Sequence, residues 1–196
     1  MRVVRRLYPF CGAAAAVLFA SSLLAASAQS GGGQEGAAKI GIKNFGSVND
    51  FLYRGAQPKG EDYQALKAMG IKTVIDLQKG GKSDEKQLVE AAGMKFFKIP
   101  MSDSSTPSPE SAEQFLSIVN NAENHPIFFH CKGGRHRTGA MAAVFRMTSD
   151  GWTADRAVAE MKAFDFDYGF GHGALKDYVY DYYTQMNKGI VVNANK

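Results

Sequence analysis

Ten consecutive residues concentrate the chemistry of this chain: His130-Cys131-Lys132-Gly133-Gly134-Arg135-His136-Arg137-Thr138-Gly139. The preceding run PIFFH (126–130) reads as a short buried strand, so Cys131 stands at a strand's carboxyl end. Gly133 and Gly134 allow the backbone turns that point successive N–H groups inward, a nest for a tetrahedral oxyanion. Arg137 closes the loop with a guanidinium fork that matches two phosphate oxygens. The same donors favour a thiolate, lowering a cysteine pKa from about 8.5 into the range of roughly 3.5–7.5. Such a thiolate attacks phosphorus in line, giving a cysteinyl-phosphate that water hydrolyses. Arg137 and the loop amides stabilise the equatorial oxygens, and Thr138 can donate its hydroxyl to the departing sulfur. This chemistry calls for no metal and no other cofactor.

HCKGGRHRTG resembles the HCxxGxxR[ST]G signature of cysteine-dependent protein tyrosine and dual-specificity phosphatases, with His130, Cys131, Gly134, Arg137, Thr138 and Gly139 in register. Residues 51–58 (FLYRGAQP), 71–77 (IKTVIDL) and 125–139 extend the resemblance to the small atypical dual-specificity phosphatases of plants, fungi and bacteria. Members act on phosphoproteins or on inositol pyrophosphates. The resemblance implies a compact fold with a central sheet flanked by helices, covering about residues 42–187, and no cofactor. It departs from the larger tyrosine phosphatases, whose acid lies in a Trp-Pro-Asp loop: here the chain reads Pro100-Met101-Ser102-Asp103. Asp103 precedes the nucleophile by 28 residues, near the family's usual spacing, and is the candidate general acid. A phenolic leaving group has a pKa of about 10, so its protonation is worth roughly 10²–10⁴-fold.

Lys132, Arg135 and His136, with Gly133 and Gly134, are the candidate substrate-binding residues. As a basic rim they would favour several phosphates, and basic residues at two of these positions are similar to those of the 3-phosphoinositide phosphatases. The leading expectation is a phosphomonoesterase of the phosphotyrosine or dual-specificity type. An inositol phosphate or pyrophosphate phosphatase is the alternative, and a catalytically silent phosphate-binding module is the alternative of another class. A rhodanese-like sulfurtransferase fits the Arg137-Thr138-Gly139 closure less well. Zinc on His125, His130, Cys131 and His136 is a poor fit, because adjacent residues rarely share an ion and no second cysteine pair exists. Residues 164–173 (FDFDYGFGHG) read either as a second loop over the site, with Asp165, Asp167 or His172 near substrate, or as core-filling aromatics. Asp76 reads as structural, and Arg54 as structural or near the pocket.

The elements that must position these residues alternate. A strand is expected at 49–54, a helix at 61–69, a strand at 71–77 and a helix at 84–92. A strand at 94–99 should be halted by Pro100. Ser108-Pro109-Glu110 reads as N-cap, first-turn proline and first-turn acid of a helix running to about residue 121. After the strand at 126–130 come helices at 138–149, 153–164 and 174–187. This pattern predicts an α/β domain, a mainly parallel sheet flanked by helices, with a helical C-terminal half.

The 196 residues, 45% hydrophobic and 21% charged, suit one globular domain. Arg2, Arg5 and Arg6, an Ala-rich apolar stretch and Ala26-Ser27-Ala28 give residues 1–28 the form of a cleaved export signal, implying a periplasmic or extracellular protein without a stable membrane anchor. A flexible Gly-rich leader (29–41), a phosphatase domain (42–187) and a short tail (188–196) follow. The formal charge of +4 includes the three signal arginines; without them 20 basic face 19 acidic residues. A net charge of +1 gives no argument for nucleic-acid binding. The expected partner is a phosphorylated protein or a polyphosphorylated small molecule. Cys131 is then the lone cysteine, so no disulfide framework supports the fold.

Overall fold

The computed structural model describes residues 40–167, 169 and 171–189. The signal expected at 1–28 lies outside them, as do the leader except Ile40 and Gly41, and the tail from residue 190. Five strands form one sheet in the order β1-β2-β5-β3-β4: β1 Gly46–Ser47, β2 Leu52–Ala56, β3 Thr73–Gln78, β4 Lys95–Met101 and β5 Ile127–Cys131. β1 runs antiparallel to β2, and every other pairing is parallel. The helices are α1 Asp62–Ala68, α2 Glu85–Ala91, α3 Pro109–Val119, α4 His136–Ser149, α5 Ala154–Ala163 and α6 Gly173–Asn187, with one 3-10 turn at Ala122–Asn124. The α/β fold, the mainly parallel sheet and the helical C-terminal half are as expected.

Side-chain alternation along the strands separates two apolar layers. Ile127, Phe129 and Cys131 of β5 face the larger layer, with Ile75 and Leu77 of β3 and the buried sides of α3, α4, α5 and α6. Phe128 and Val74 face the smaller one, with Tyr63, Leu66 and Val89 from α1 and α2. This period of two has a consequence for the site. Cys131 projects on the α4 side, and His130 on the side of α2.

Several boundaries differ from the sequence reading, each for a physical reason. The strand expected at 49–54 is β2 and begins at Leu52, because the Asn49 carboxamide oxygen accepts from the amides of Phe51 and Leu52 and makes residues 49–51 a turn. Pro100 does not halt β4, which continues to Met101. Among the described residues β4 is an outer strand, paired only with β3, a place where proline is tolerated. Helix α4 starts at His136 rather than at residue 138, which places Arg137 and Thr138 in its first turn. The cap at Ser108, whose hydroxyl accepts from the Ser111 amide, and Pro109 at the start of α3 are as expected.

Candidate active site

The parallel ends of β2 and β5 lie side by side, with Ala56 opposite Cys131, and the chain leaves β5 into the loop 132–135 that feeds α4. The first-turn amides of α4 have no intrahelical acceptor, so they and the positive helix end point at this loop. Cys131 is 2% exposed. Burial pushes its thiol up, but the Thr138 hydroxyl and amide, the Arg137 guanidinium and the Gly133 amide outweigh it and hold the thiol below its ordinary value.

Of the two loop glycines, only Gly134 takes a positive φ, +67°. It lies against the backbone of β2 and does not line the cavity, whereas Gly133 does. Arg137 is buried and donates from Nη1 to the Met101 carbonyl at 3.3 Å, tying the phosphate-facing helix to the end of β4. Thr138 is fully buried beside the sulfur.

Above Cys131 opens a cavity of about 1000 Å³. Lys43, Lys59, Lys82, Lys132, Arg135 and Arg137 line it, with Asp62, Asp103 and Asp165 as the acidic members. Lys132, Arg135 and Asp103 therefore come together with the nucleophile. His136 does so differently from the basic rim expected of it. Its ring stacks on His172 with centroids 3.6 Å apart. Burial, His172 and the Arg135 charge push its pKa down to about 4 against the pull of Asp167, so at neutral pH it offers a neutral ring. His172 in turn places Nδ1 3.0 Å from the Asp103 carbonyl oxygen, fixing the loop that carries Asp103.

Both readings of 164–173 hold in part. Phe166 is buried against His136 and Phe164 lies under the Arg54 guanidinium, while Asp165 and His172 reach the cavity. Asp167 stands 4.0 Å from both Arg135 and His136.

Below the loop lies a buried polar chain of which the sequence reading singled out only Asp76 and His130. His130 Nε2 sits 3.0 Å from Glu85 Oε1 of α2, and Nδ1 lies 3.4 Å from the Cys131 carbonyl oxygen. Glu85 also accepts from Gln57 and from the Tyr63 hydroxyl. Gln78 joins Gln57 to Asp76, whose other oxygen holds Lys98 at 3.0 Å. Burial works against a charge on His130, but the Glu85 hydrogen bond, with Glu85 and Asp76 charge, raises its pKa above the ordinary imidazole value. Asp76, Glu85 and His130 offer ligand atoms within 4.8 Å of one another. Two of them are engaged with each other and the third with Lys98, so the cations here are protein groups. The zinc set imagined from His125 is not assembled. His125 lies beyond the opposite end of β5, stacked on Phe51 and bonded to Val119 O.

The chain was compared with known proteins. Residues 41–172, more than half of it, match a family model described as DSP-PTPase phosphatase fused to NAD+ kinase. Among curated proteins it is similar to the inositol diphosphatase DSP3 of Arabidopsis thaliana, 32% identical over 108 residues, which cover 53% of each chain. It is also similar to the dual specificity protein phosphatase TpbA of Pseudomonas aeruginosa, 26% identical over 119 residues, 61% of this chain and 53% of that one. The chain spans about half the length of these curated relatives. The core catalytic domain of the PP-IP phosphatase SIW14 from S. cerevisiae has the same fold, with a TM-score of 0.65 at 24% identity, covering 76% of this chain and 91% of that one.

Proposed function

The chain belongs to the family described as DSP-PTPase phosphatase fused to NAD+ kinase, among the cysteine-based tyrosine and dual-specificity phosphatases, and on that premise we propose that it hydrolyses an inositol pyrophosphate through Cys131. The carrying observation is the lining of the cavity. Six cationic side chains, from four separate segments, share it with the nucleophile and three carboxylates. One phosphate in the 131–137 loop leaves Lys43, Lys59 and Lys82 free to meet others on the same ligand. The similarity to proteins named inositol diphosphatases supports the same reading.

The reaction follows from the placement of the groups. The Cys131 thiolate attacks the terminal phosphorus, an S–P bond forms and the P–O bond to the inner phosphate breaks. Arg137, the loop amides and the start of α4 meet the charge on the equatorial oxygens. The leaving group is itself a phosphate, stable as an anion, so it departs with little help from an acid. Water then attacks the cysteinyl-phosphate. The sulfur leaves as a thiolate, taking a hydrogen bond from Thr138, and inorganic phosphate is released. Binding alone would need no thiolate, which speaks against a silent module.

One observation favours a second reading, an aryl or phosphotyrosine substrate. Asp103 lines the cavity with Cys131, and its loop is fixed by His172, as a general acid for a phenolic leaving group requires. Steady-state hydrolysis of an inositol pyrophosphate, a phosphotyrosine peptide and an aryl phosphate, with EDTA present, separates the two. Cys131→Ser should abolish all turnover. Under the proposal Asp103→Asn leaves pyrophosphate turnover within a few fold, and Lys82→Ala or Lys132→Ala raises KM for the pyrophosphate but not for the aryl phosphate. Loss of turnover by 10²-fold or more with Asp103→Asn, and a preference for the peptide, would overturn it.

A further inference from the structure

Three consecutive carbonyls of the phosphate loop are each held from outside by a different donor. The Gln57 amide donates to Lys132 O at 3.4 Å, Asn44 Nδ2 to Gly133 O at 2.9 Å, and Arg54 Nη2 to Gly134 O at 3.1 Å. A trans peptide is planar, and the C=O of one residue and the N–H of the next point in opposite directions. Pinning carbonyls 132, 133 and 134 outward therefore turns the N–H groups of Gly133, Gly134 and Arg135 to the other side, into the hollow of the loop. The Gly133 amide is among the groups that hold the Cys131 thiol below its ordinary value.

Asn44 and Gln57 also line the cavity, whereas Arg54 does not. Arg54 is fully buried, a costly place for a guanidinium. Phe164 lies 3.9 Å from its carbon, and Glu160, which Arg146 also holds, 3.9 Å from Nη1, while Nη2 is left to the loop. Asn44 holds φ +51°, a left-handed conformation that asparagine tolerates better than most residues. From there its carboxamide reaches a residue 89 positions away.

We infer that Asn44 and Arg54 are positioning residues, clamping two peptide planes of the phosphate loop so that its amides face the oxyanion before any substrate arrives. Neither touches the reacting atoms. They act through the orientation of the Gly134 and Arg135 amides, which an unclamped Gly-rich loop would surrender to peptide rotation. The inference rests on reading the 131–137 loop as an oxyanion cradle and is indifferent to which phosphate ester is cleaved.

The test uses orthovanadate, whose trigonal geometry engages all the loop amides, with binding measured by calorimetry and kcat measured on an aryl phosphate. Asn44→Gly removes the donor and keeps the left-handed backbone. Arg54→Met removes the guanidinium, and Arg54→Lys restores one donor. Asn44→Gly and Arg54→Met should each weaken vanadate about tenfold or more and lower kcat in parallel, with KM little changed, as loss of an oriented oxyanion donor does. Arg54→Lys should recover part of both. A merely structural role would lower the melting temperature but leave vanadate affinity and kcat of the folded fraction unchanged, and that result overturns the inference. Should Arg54→Met fail to fold, Asn44→Gly decides alone. Vanadate binding is read directly, so a wild type that turns over none of the substrates above would refute the proposed function and leave the vanadate measurement to decide this inference.

Discussion

The Cys131 thiol is held below its ordinary pKa by groups that are close in sequence, and its reactivity can be tuned by changing one of them. The Thr138 hydroxyl is the strongest of the influences that oppose burial at the sulfur. With wild type, the rate of iodoacetamide alkylation should reach its midpoint below the ordinary thiol pKa, because the thiolate persists at lower pH. Thr138→Val keeps the shape and removes the donor, so the midpoint should move up; a midpoint that stays put would remove Thr138 from this role. His136 shows the opposite behaviour. It enters the sequence as one more cation beside Lys132 and Arg135, yet the stack on His172 and partial burial leave it neutral near pH 7. What the sequence made legible was a contiguous segment. Cys131, Arg137 and Thr138 lie within eight residues, and their roles follow from spacing along one strand, one loop and one helical turn.

The groups that hold this loop belong to other elements, and spacing could not reveal them. Asn44, Arg54 and Gln57 come from the region of β2, and Glu85 from α2, each brought in only when the sheet order β2-β5-β3 is known. Arg54 could be read as structural or as part of the pocket, and only the register of β2 on β5 shows that it serves the loop. Gly134 is another such case. Its φ of +67° disfavours any side chain, by roughly 1–2 kcal/mol. A Cβ there would also fall 2.5 Å from Ala56 N and 2.6 Å from Gly55 O, backbone atoms that cannot step aside. Gly134→Ala should therefore push the loop off β2 and lower kcat at least 10²-fold, with the fold retained. Normal turnover by this variant would mean that the approach to β2 is not needed. The boundaries that the sequence misplaced, at β2 and at Pro100, likewise depended on which strand is outermost and on side-chain caps.

At the scale of the whole molecule, the buried pair His130 and Glu85 joins β5 to α2 beneath the site, and it ties stability to pH. His130 has a pKa raised in the folded protein, so its contribution is fully present below the unfolded value of about 6.5 and is lost as pH rises through the higher folded value. Thermal unfolding across pH should accordingly show Glu85→Gln less stable than wild type by about 1.5–3 kcal/mol near pH 5.5, with the gap closing at alkaline pH. A gap of the same size at every pH would mean that the pair is not ionised. No helix among the described residues is long and apolar enough to cross a membrane. The export expected from residues 1–28 stays a proposal, to be tested by fractionating cells that produce the full chain.

The strand arrangement also limits how a ligand can be greeted. One border of the sheet is β1, two residues long; the other is β4, where Pro100 lacks a donor and Lys95 and Lys98 stand exposed. Short, charged and proline-bearing borders resist the addition of a further strand. An extended phosphopeptide therefore finds little main chain to zip onto, and a second copy of the sheet finds no template for aggregation. On the proposed function, selectivity then rests on the head of the ligand, read by the walls of the cavity.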